Sequence, residues 1–353
     1  MANIVVYGAY GYTGELIVRE AKKQGVSLIL SGRDEKKLKV LSQETGFAYT
    51  AVDLNNNQAL HNLLQNAQVV IHCAGPFQFT AKAMVEACLK TQTHYLDITG
   101  EYQVFELIHS YHDAAKRVGI MLLPGAGFDV VPSDCLASHL KAQLPNAQKL
   151  QLAFATTGGG LSRGTSKTMI EGAGEGQVYR SNHQLKTKPL GKSTPLIDYG
   201  PFKKLSVGIS WGDISSAYFS TGIPNIEVFT GSSEKQIKAL RWSHRLGFLL
   251  KVKWVKALLK KQVDKKPAGP TAEKRGKSNT YLWGKVESTN GKTYEARLKT
   301  PNGYTLTAKA TLLFANKILN KDFKAGFQTP ALVYGSNVIF EIEGCKFENR
   351  ASH

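Results

Sequence analysis

From residue 3 to residue 123, short β-branched apolar runs alternate with longer stretches whose apolar residues recur at helical spacing. The short runs predict strands at residues 3–7, 26–30, 47–52, 68–72, 94–97 and 119–123. The longer ones predict helices that include 15–24, 58–65, 81–89 and 104–117. Strands alternating with helices in this way build a doubly wound parallel sheet, so an α/β domain of that kind is expected over residues 1–130. After Pro124 the texture changes. A helix is expected beyond Pro132-Ser133-Asp134, where Ser133 or Asp134 can cap free backbone N–H groups, and strands at 151–156, 204–210, 216–219 and 226–230. Asn290-Gly291 between alternating runs marks a hairpin. These elements predict a second, α+β domain on a mixed or antiparallel sheet over residues 131–328, serving substrate binding and dimerisation. Residues 329–353 form a separate C-terminal segment. Within them 338–342 alternates like a strand, yet Thr329-Pro330 is a good helix start and Gly344 a good stop, so a helix is expected. Residues 265–277, with Pro267, Gly269 and Pro270, are linker-like.

Composition supports two ordinary globular domains, with 42% hydrophobic and 20% charged residues over 353 positions. No run reaches the roughly 18 apolar residues of a spanning helix. Met1-Ala2-Asn3 passes straight into Ile4-Val5-Val6 without a charged leader segment, so a cytoplasmic protein is expected. Cys73, Cys88, Cys135 and Cys345 are scattered, which argues for four reduced thiols and against a metal site. The net charge of +18 is concentrated. Residues 1–130 hold 11 Lys/Arg against 12 Asp/Glu, net −1, whereas residues 234–277 hold 14 against 3, net +11. Between 234 and 263, Ile237, Leu240, Phe248, Val252, Val255, Leu259 and Val263 fall on one helical stripe, with Lys253, Lys256 and Lys260 on another face. Trp242 and Trp254 stand at the boundary. Such a basic amphipathic helix either packs on its own domain or makes peripheral contact with an anionic membrane. No base-reading motif accompanies the charge, so nucleic acid is not an expected partner.

The clearest chemical signal follows the first strand. Gly8-Ala9-Tyr10-Gly11-Tyr12-Thr13-Gly14 has the spacing GxxGxxG and opens a helix within a βαβ unit. Its glycines permit a tight turn, close backbone approach to a pyrophosphate and close helix packing, which makes the domain a Rossmann dinucleotide-binding fold. The second strand ends Ser31-Gly32-Arg33-Asp34, and no carboxylate stands at the strand tip to accept a ribose 2′-hydroxyl. Arg33 takes that place. Its guanidinium fork suits the 2′-phosphate of NADP, with Ser31 or Lys37 assisting, while Asp34 keeps NAD open as an alternative. Asp53 closes the third strand and is positioned for adenine. Cys73-Ala74-Gly75-Pro76 closes the fourth with a turn of small residues that can pass close to the nicotinamide ribose.

With these pieces placed, the chain resembles the saccharopine dehydrogenase-like oxidoreductases, in particular the branch with the mycobacterial trans-acting enoyl reductases. The resemblance rests on Gly8 to Gly14, Gly32-Arg33, Cys73 to Phe77, His94-Tyr95-Leu96-Asp97-Ile98-Thr99-Gly100-Glu101, and Gly125 to Asp134. It continues through Gly164-Thr165, Gly269-Pro270-Thr271, Gly303-Tyr304, Thr307-Ala308, Thr329-Pro330-Ala331 and Gly335. It implies an NADP-binding Rossmann domain followed by an α/β domain, with the C-terminal segment, residues 329–353, packing back on the first domain. Its motifs identify no substrate, and hydride transfer to or from a small molecule, with lipid-like, enoyl or carbonyl compounds as the classes considered, is the expected reaction. The second domain reads as too short for saccharopine dehydrogenase itself, so saccharopine is not the expected substrate.

Hydride transfer needs alignment and a group to handle the accompanying proton. Asp97 and Glu101 at the fifth strand edge, and Asp129 in the next loop, are the catalytic candidates. Tyr179, Arg180 and His183 are candidates to face the substrate cleft, and residues 157–165 to wall it, with Thr165 as helix cap. The Tyr and Lys four apart on a helix that short-chain reductases require are absent, because Tyr199/Lys203 encloses Gly200-Pro201 and Tyr281/Lys285 lies in an expected strand. The rival reading is a non-catalytic chain that binds NADP(H) as a sensor or membrane-surface scaffold. A homodimer is the expected assembly.

Overall fold

The computed structural model describes residues 3–172, 174–245, 247 and 252–348. They form two compact units, Met1–Val131 with Tyr304–Val333, and Pro132–Gly303 with Tyr334–His353.

In the first unit, β1 (Ile4–Tyr7), β2 (Ile29–Gly32), β3 (Ala48–Ala51), β4 (Val69–His72), β5 (His94–Asp97) and β6 (Met121–Leu123) alternate with helices. The sheet runs β3-β2-β1-β4-β5-β6 and is extended beyond β6 by Gly326–Phe327, with every pairing parallel. This order is that of a dinucleotide-binding sheet, with its switch point between β1 and β4. The apolar strands are buried because helices cover both faces of such a sheet, and all four residues of β1 and of β4 are buried. Helix α1 (Tyr12–Gln24) buries Gly14, Ile17, Val18 and Ala21, spaced to form one stripe. It ends at Gly25, whose φ of 71° is the left-handed conformation glycine favours. There the Val26 N–H bonds back to the Ala21 carbonyl, so β2 begins at Ile29 rather than at residue 26.

The helix expected over 104–117 is two helices, α5 (Tyr102–His109) and α6 (His112–Val118), numbered after α2 (Glu35–Thr45), α3 (Asn57–Leu64) and α4 (Ala81–Thr91). Ser110 ends α5, because its hydroxyl donates to the Leu107 carbonyl at 2.6 Å and competes with the helical ladder. A long helix in residues 303–319 (Gly303–Leu319), with most of its residues buried, also belongs largely to this unit although it follows the second-domain segment in sequence.

The second unit is built on a nine-stranded mixed sheet. Its path runs Leu196–Asp198, Lys203–Ile209, Asn225–Gly231, Ala147–Thr156, Asn279–Ser288, Thr293–Pro301 and Lys346–Glu348, with Gln177–Ser181 and Gln184–Lys188 attached at one side. Asn225–Gly231 pairs parallel with Ala147–Thr156, and the other pairings are antiparallel. The hairpin at Asn290-Gly291 is present, Gly291 having φ 81°. Helix Val131–Gln143 starts before Ser133 and Asp134, so neither is its N-cap; Asp134 instead accepts the Ser220 hydroxyl at 2.6 Å. Its Leu136 and Leu140 press on Gly284, where a Cβ would lie 2.5 Å from Leu140 Cδ1. A cluster of Ala153, Ala155, Ile197, Tyr199, Phe229 and Trp283 is buried within the unit.

Three expectations need correction. Residues 216–219 are helix, within Asp213–Thr221, because Ile214, Ala217 and Thr221 recur at helical spacing on the buried side and Gly222 closes the turn at φ 69°. The C-terminal helix is a short α-helix, Pro330–Tyr334, and a 3₁₀ helix, Ser336–Glu341, separated by Gly335 at φ 77°. The basic segment is helix Glu234–Arg245 and helix Lys253–Asp264, not one continuous helix, since Val252 is extended at φ −70°, ψ 126°. Phe248 lies outside the described residues.

Phe105 is fully buried in α5, and a Cβ on Gly125 would meet its ring edge at 2.6 Å. Phe105→Ala is expected to destabilise the chain by about 3–5 kcal/mol, measured by urea denaturation monitored through circular dichroism.

Candidate functional site

The carboxyl edge of the first unit's sheet gathers the residues singled out in the sequence. Gly8 has φ 83°, and a Cβ there would lie 2.9 Å from the Ala74 backbone nitrogen. A Cβ on Gly14 would lie 2.3 Å from the Gly8 carbonyl oxygen, and one on Gly11 would lie 3.1 Å from it. The first turn of α1 therefore seats directly on the loop from β1, and that loop lies against the turn after β4. No side chain caps α1 at Gly11. Such a bare helix N-terminus reached by close backbone is an anion site, suited to pyrophosphate. Thr13 lies in that first turn, and the Tyr12 ring meets Tyr304 edge to face, with centroids 5.1 Å apart.

At the β2 edge Gly32 has φ 152°, and a Cβ on it would lie 2.6 Å from Tyr10 Cε1, so only glycine lets the Tyr10 ring lie across the strand end. The Asp34 backbone N–H donates to the Tyr10 hydroxyl at 3.3 Å. Lys37 sits 5.4 Å from that ring's centroid and 2.9 Å from Asp34, which caps α2. Asp34 is thus engaged, and its carboxyl is held below the usual range by the Lys37 ammonium and backbone N–H. Arg33 beside it is exposed and makes no ion pair among the described residues, which leaves its fork available to a phosphate. Ser31 is fully buried and donates to the Thr50 carbonyl at 2.8 Å, while its own carbonyl accepts the Gly8 and Ala9 N–H groups. It therefore fixes the loop through backbone rather than offering its hydroxyl. Asp53 is exposed and accepts from Asn55 N and Nδ2, both at 2.9 Å. These residues fit a dinucleotide carrying a 2′-phosphate.

The turn after β4, Cys73-Ala74-Gly75-Pro76, is held from two sides. The Glu101 carboxylate accepts the Phe77 N–H at 2.8 Å and the Gln78 N–H at 2.9 Å. On the other side Thr80 donates to the Ala74 carbonyl at 2.8 Å and lies 3.0 Å from His72 Nε2. Burial lowers the His72 pKa to about 3, so it is neutral. It also pushes the Cys73 thiol up, which keeps that sulfur protonated. His72 and Thr80 carried no sequence signal, because both sit in positions that read as plain strand and helix start.

The three candidate carboxylates share this edge but not its environment. Asp97 is fully buried and accepts from Tyr95 Oη at 2.7 Å, Thr99 N at 3.0 Å and Gly125 N at 2.8 Å. Burial raises its pKa to about 6 against these donors. Asp129 is different. A Cβ on Gly100 would lie 3.0 Å from Asp129 Oδ2, while Oδ1 is sealed from solvent with no hydrogen-bond partner among the described residues. Burial raises its pKa from an ordinary 3.8 to about 7. The loop that carries it is fixed by Phe128 N, which donates to Thr307 Oγ1 at 2.9 Å.

In the second unit the residues expected to face a cleft are otherwise engaged. Arg180 donates to the Ile214 carbonyl at 2.7 Å and the His183 carbonyl at 2.8 Å, and its guanidinium stacks 4.1 Å from the Tyr218 centroid. His183 Nδ1 is 3.2 Å from the Tyr218 hydroxyl. The Lys188 ammonium lies 4.7 Å from the centroid of the Tyr179 ring. Ser162, not Thr165, caps helix Arg163–Glu171, accepting Thr165 N at 3.1 Å. No His/Cys/Asp/Glu group able to hold a metal occurs among the described residues.

Arg33→Ala is expected to weaken NADPH binding roughly 10- to 100-fold while changing NADH binding little, as a lost charge-assisted contact would. Quenching of tryptophan fluorescence during titration with each nucleotide checks this.

Comparison with known proteins places these features. Residues 4–123 match the family described as saccharopine dehydrogenase NADP binding domain. The chain is 28% identical over 200 residues to a saccharopine dehydrogenase-like oxidoreductase of Mus musculus, covering 49% of this chain and 46% of that one. It is 31% identical over 189 residues to a lipid droplet localized protein of Caenorhabditis elegans, covering 48% and 44%. It is 30% identical over 146 residues to a trans-acting enoyl reductase of Mycobacterium ulcerans, covering 39% and 35%. The chain thus spans about half or less of the length of these relatives. The solved saccharopine dehydrogenase (L-Glu forming) of Saccharomyces cerevisiae shares the fold, with a TM-score of 0.68 at 12% identity over 99% of this chain and 100% of that chain. That coverage corrects the expectation that the second domain is too short for such an enzyme. Residues 4–123 thus match the family described as saccharopine dehydrogenase NADP binding domain, and the cofactor that match supports is NADP.

Proposed function

We propose that the chain is an NADP-dependent oxidoreductase that transfers hydride to or from an enoyl or carbonyl group on a lipid-like small molecule, with Asp129 handling the proton. The observation that carries this is the Asp129 carboxyl, sealed and without a partner at Oδ1, with a pKa raised to about 7 at the carboxyl edge of the cofactor-binding sheet. Bound NADPH supplies hydride to an electrophilic substrate carbon. A proton must then reach the neighbouring atom of the reduced double bond, and a carboxyl that stays protonated near neutrality can deliver it. Asp97 and Glu101 serve in this reading as positioning residues: their oxygens already accept backbone N–H groups of the turns beside the site. The lipid-like substrate is supported by the relatives named enoyl reductase and lipid droplet protein.

A sensor or scaffold is less favoured, because it has no use for a sealed carboxyl that burial keeps costly to ionise. Peripheral membrane contact of residues 234–263 and a homodimer complete the proposal; no described helix is long and apolar enough to cross a membrane. Light scattering that shows only a 38.7 kDa species would remove the dimer from it.

The pH dependence has a definite sign. A carboxyl whose folded pKa is raised binds its proton more tightly when folded, so stability falls as pH rises from about 4 to about 7. Asp129→Asn should flatten that fall, raising Tm relative to the parent at alkaline pH. It should also lower kcat about 10²- to 10⁴-fold for NADPH-dependent reduction of enoyl and aldehyde substrates, with nucleotide affinity kept. Unchanged kcat would remove Asp129 from the chemistry, and no turnover by the parent chain across both substrate classes would remove the enzyme reading.

A further inference from the structure

Six of the eleven exposed large apolar side chains among the described residues lie on or next to three helices of the second unit, Arg163–Glu171, Glu234–Arg245 and Lys253–Asp264: Leu161, Met169, Trp242, Val252, Trp254 and Leu258. Trp254 is 70% exposed and Trp242 63%. Helix Lys253–Asp264 turns two different faces to its surroundings. On its inner face Val263 is buried, and Lys256 and Lys260 pair with Glu171 of helix Arg163–Glu171. Lys167 of that helix meets Asp264 at 2.6 Å. On the outer face Trp254, Leu258, Lys261 and Lys265 follow one another at spacings of four, three and four, all exposed. On helix Glu234–Arg245 the exposed Lys235, Lys238 and Trp242 repeat this arrangement, while Ile237 is buried. Lys235, Lys238, Lys261, Lys265 and Lys266 are exposed and make no ion pair among the described residues.

A helix that only packs on its own unit has no need of a large aromatic on its outer face, and a soluble surface rarely keeps several exposed apolar groups together. Uncompensated lysines interleaved with tryptophan are what the boundary of an anionic bilayer accommodates, the indole at headgroup depth and the ammonium groups against lipid phosphate. We propose that the outer faces of these two helices form a docking surface for anionic membrane, with Trp254 and Leu258 as the inserting pair and the five lysines as the electrostatic contribution. The proposal rests on the peripheral-contact reading of residues 234–263 and is independent of the redox chemistry.

The test is co-sedimentation of the full chain with vesicles of phosphatidylglycerol and phosphatidylcholine in equal parts, and with vesicles of phosphatidylcholine alone. Binding is expected to the first, weakening as salt is raised, and much less to the second. Trp254→Glu with Leu258→Glu should reduce partitioning at least roughly tenfold. Lys261→Gln with Lys265→Gln should reduce it about 25-fold, from about fivefold per lysine. The lysine pair lies outside every ion pair of the helix among the described residues, so it reports on docking even if the glutamate variant folds poorly. NADPH affinity should be unchanged in both. Equal binding to the two vesicle types, or parent-like binding by the lysine variant, would overturn the proposal. So would a change of oligomeric state in the glutamate variant without loss of vesicle binding, which would assign the patch to a second copy of the chain. Tight binding to a polyanion such as heparin with none to vesicles would assign it to an acidic macromolecule instead.

Discussion

The close backbone approach among β1, α1 and the turn after β4 is the constraint on which the cofactor-binding edge depends. With a Cβ on Gly14 lying 2.3 Å from the Gly8 carbonyl and one on Gly8 lying 2.9 Å from Ala74 N, no side chain fits at either position. What the chain gains is an uncapped helix N-terminus seated on the loop after β1, which itself lies against the turn after β4. The same logic recurs at Gly32, where the absent side chain is replaced by the Tyr10 ring beside Arg33. Backbone proximity shapes a helix N-terminus suited to an anion, and the exposed guanidinium of Arg33 is the group proposed to select between dinucleotides.

The three carboxylates at this edge show how local donors decide chemistry. Residue type is the same or nearly so; Asp97 and Glu101 are buried, and Asp129 is half-buried with its Oδ1 sealed from solvent. Asp97 is surrounded by a phenol and two backbone N–H groups, and Glu101 by two backbone N–H groups, so both join turns together. Asp129 faces Gly100 and has an oxygen with no donor, so desolvation acts on it unopposed and its pKa reaches about 7. A group in that state can exchange a proton near neutrality, whereas one tied into two or three hydrogen bonds changes charge only by weakening the turn it holds.

The parallel sheet was legible because its strands are short apolar runs whose burial leaves no choice of period, and the glycine loop because its spacing has a steric cause. Strand edges were less so: the turn at Gly25 consumes Val26, and Ser110 divides a helix whose periodicity continues across the break. Residues 216–219 read as strand because Tyr218 and Phe219 favour it locally, yet Gly222 and the buried spacing of Ile214 and Ala217 make helix the better-packed choice. At the site, Arg33 stands out in the sequence by its position after a strand, and its phosphate contact is a proposal. The division of labour among Asp97, Glu101 and Asp129 was not, since it depends on N–H groups from residues 23 to 28 positions away. The membership of 304–333 in the first unit was likewise beyond periodicity, because a buried helix carries no address.

The charge of the second unit belongs to a different physical problem from the cofactor edge. Glu171, Asp264 and Glu273 pair with lysines of helices Arg163–Glu171 and Lys253–Asp264 and of residues 273–277, while Lys235, Lys238, Lys261, Lys265 and Lys266 stay exposed on or beside the helices that carry Trp242, Trp254 and Leu258. The proposed nucleotide preference belongs to the first unit. Its most direct test is a calorimetric titration of the full chain with NADPH and, separately, NADH. One NADPH bound per chain, at least about tenfold more tightly than NADH, is the predicted result, from the phosphate contact of a single unpaired arginine. Tighter binding of NADH, or no heat with either nucleotide, would contradict it.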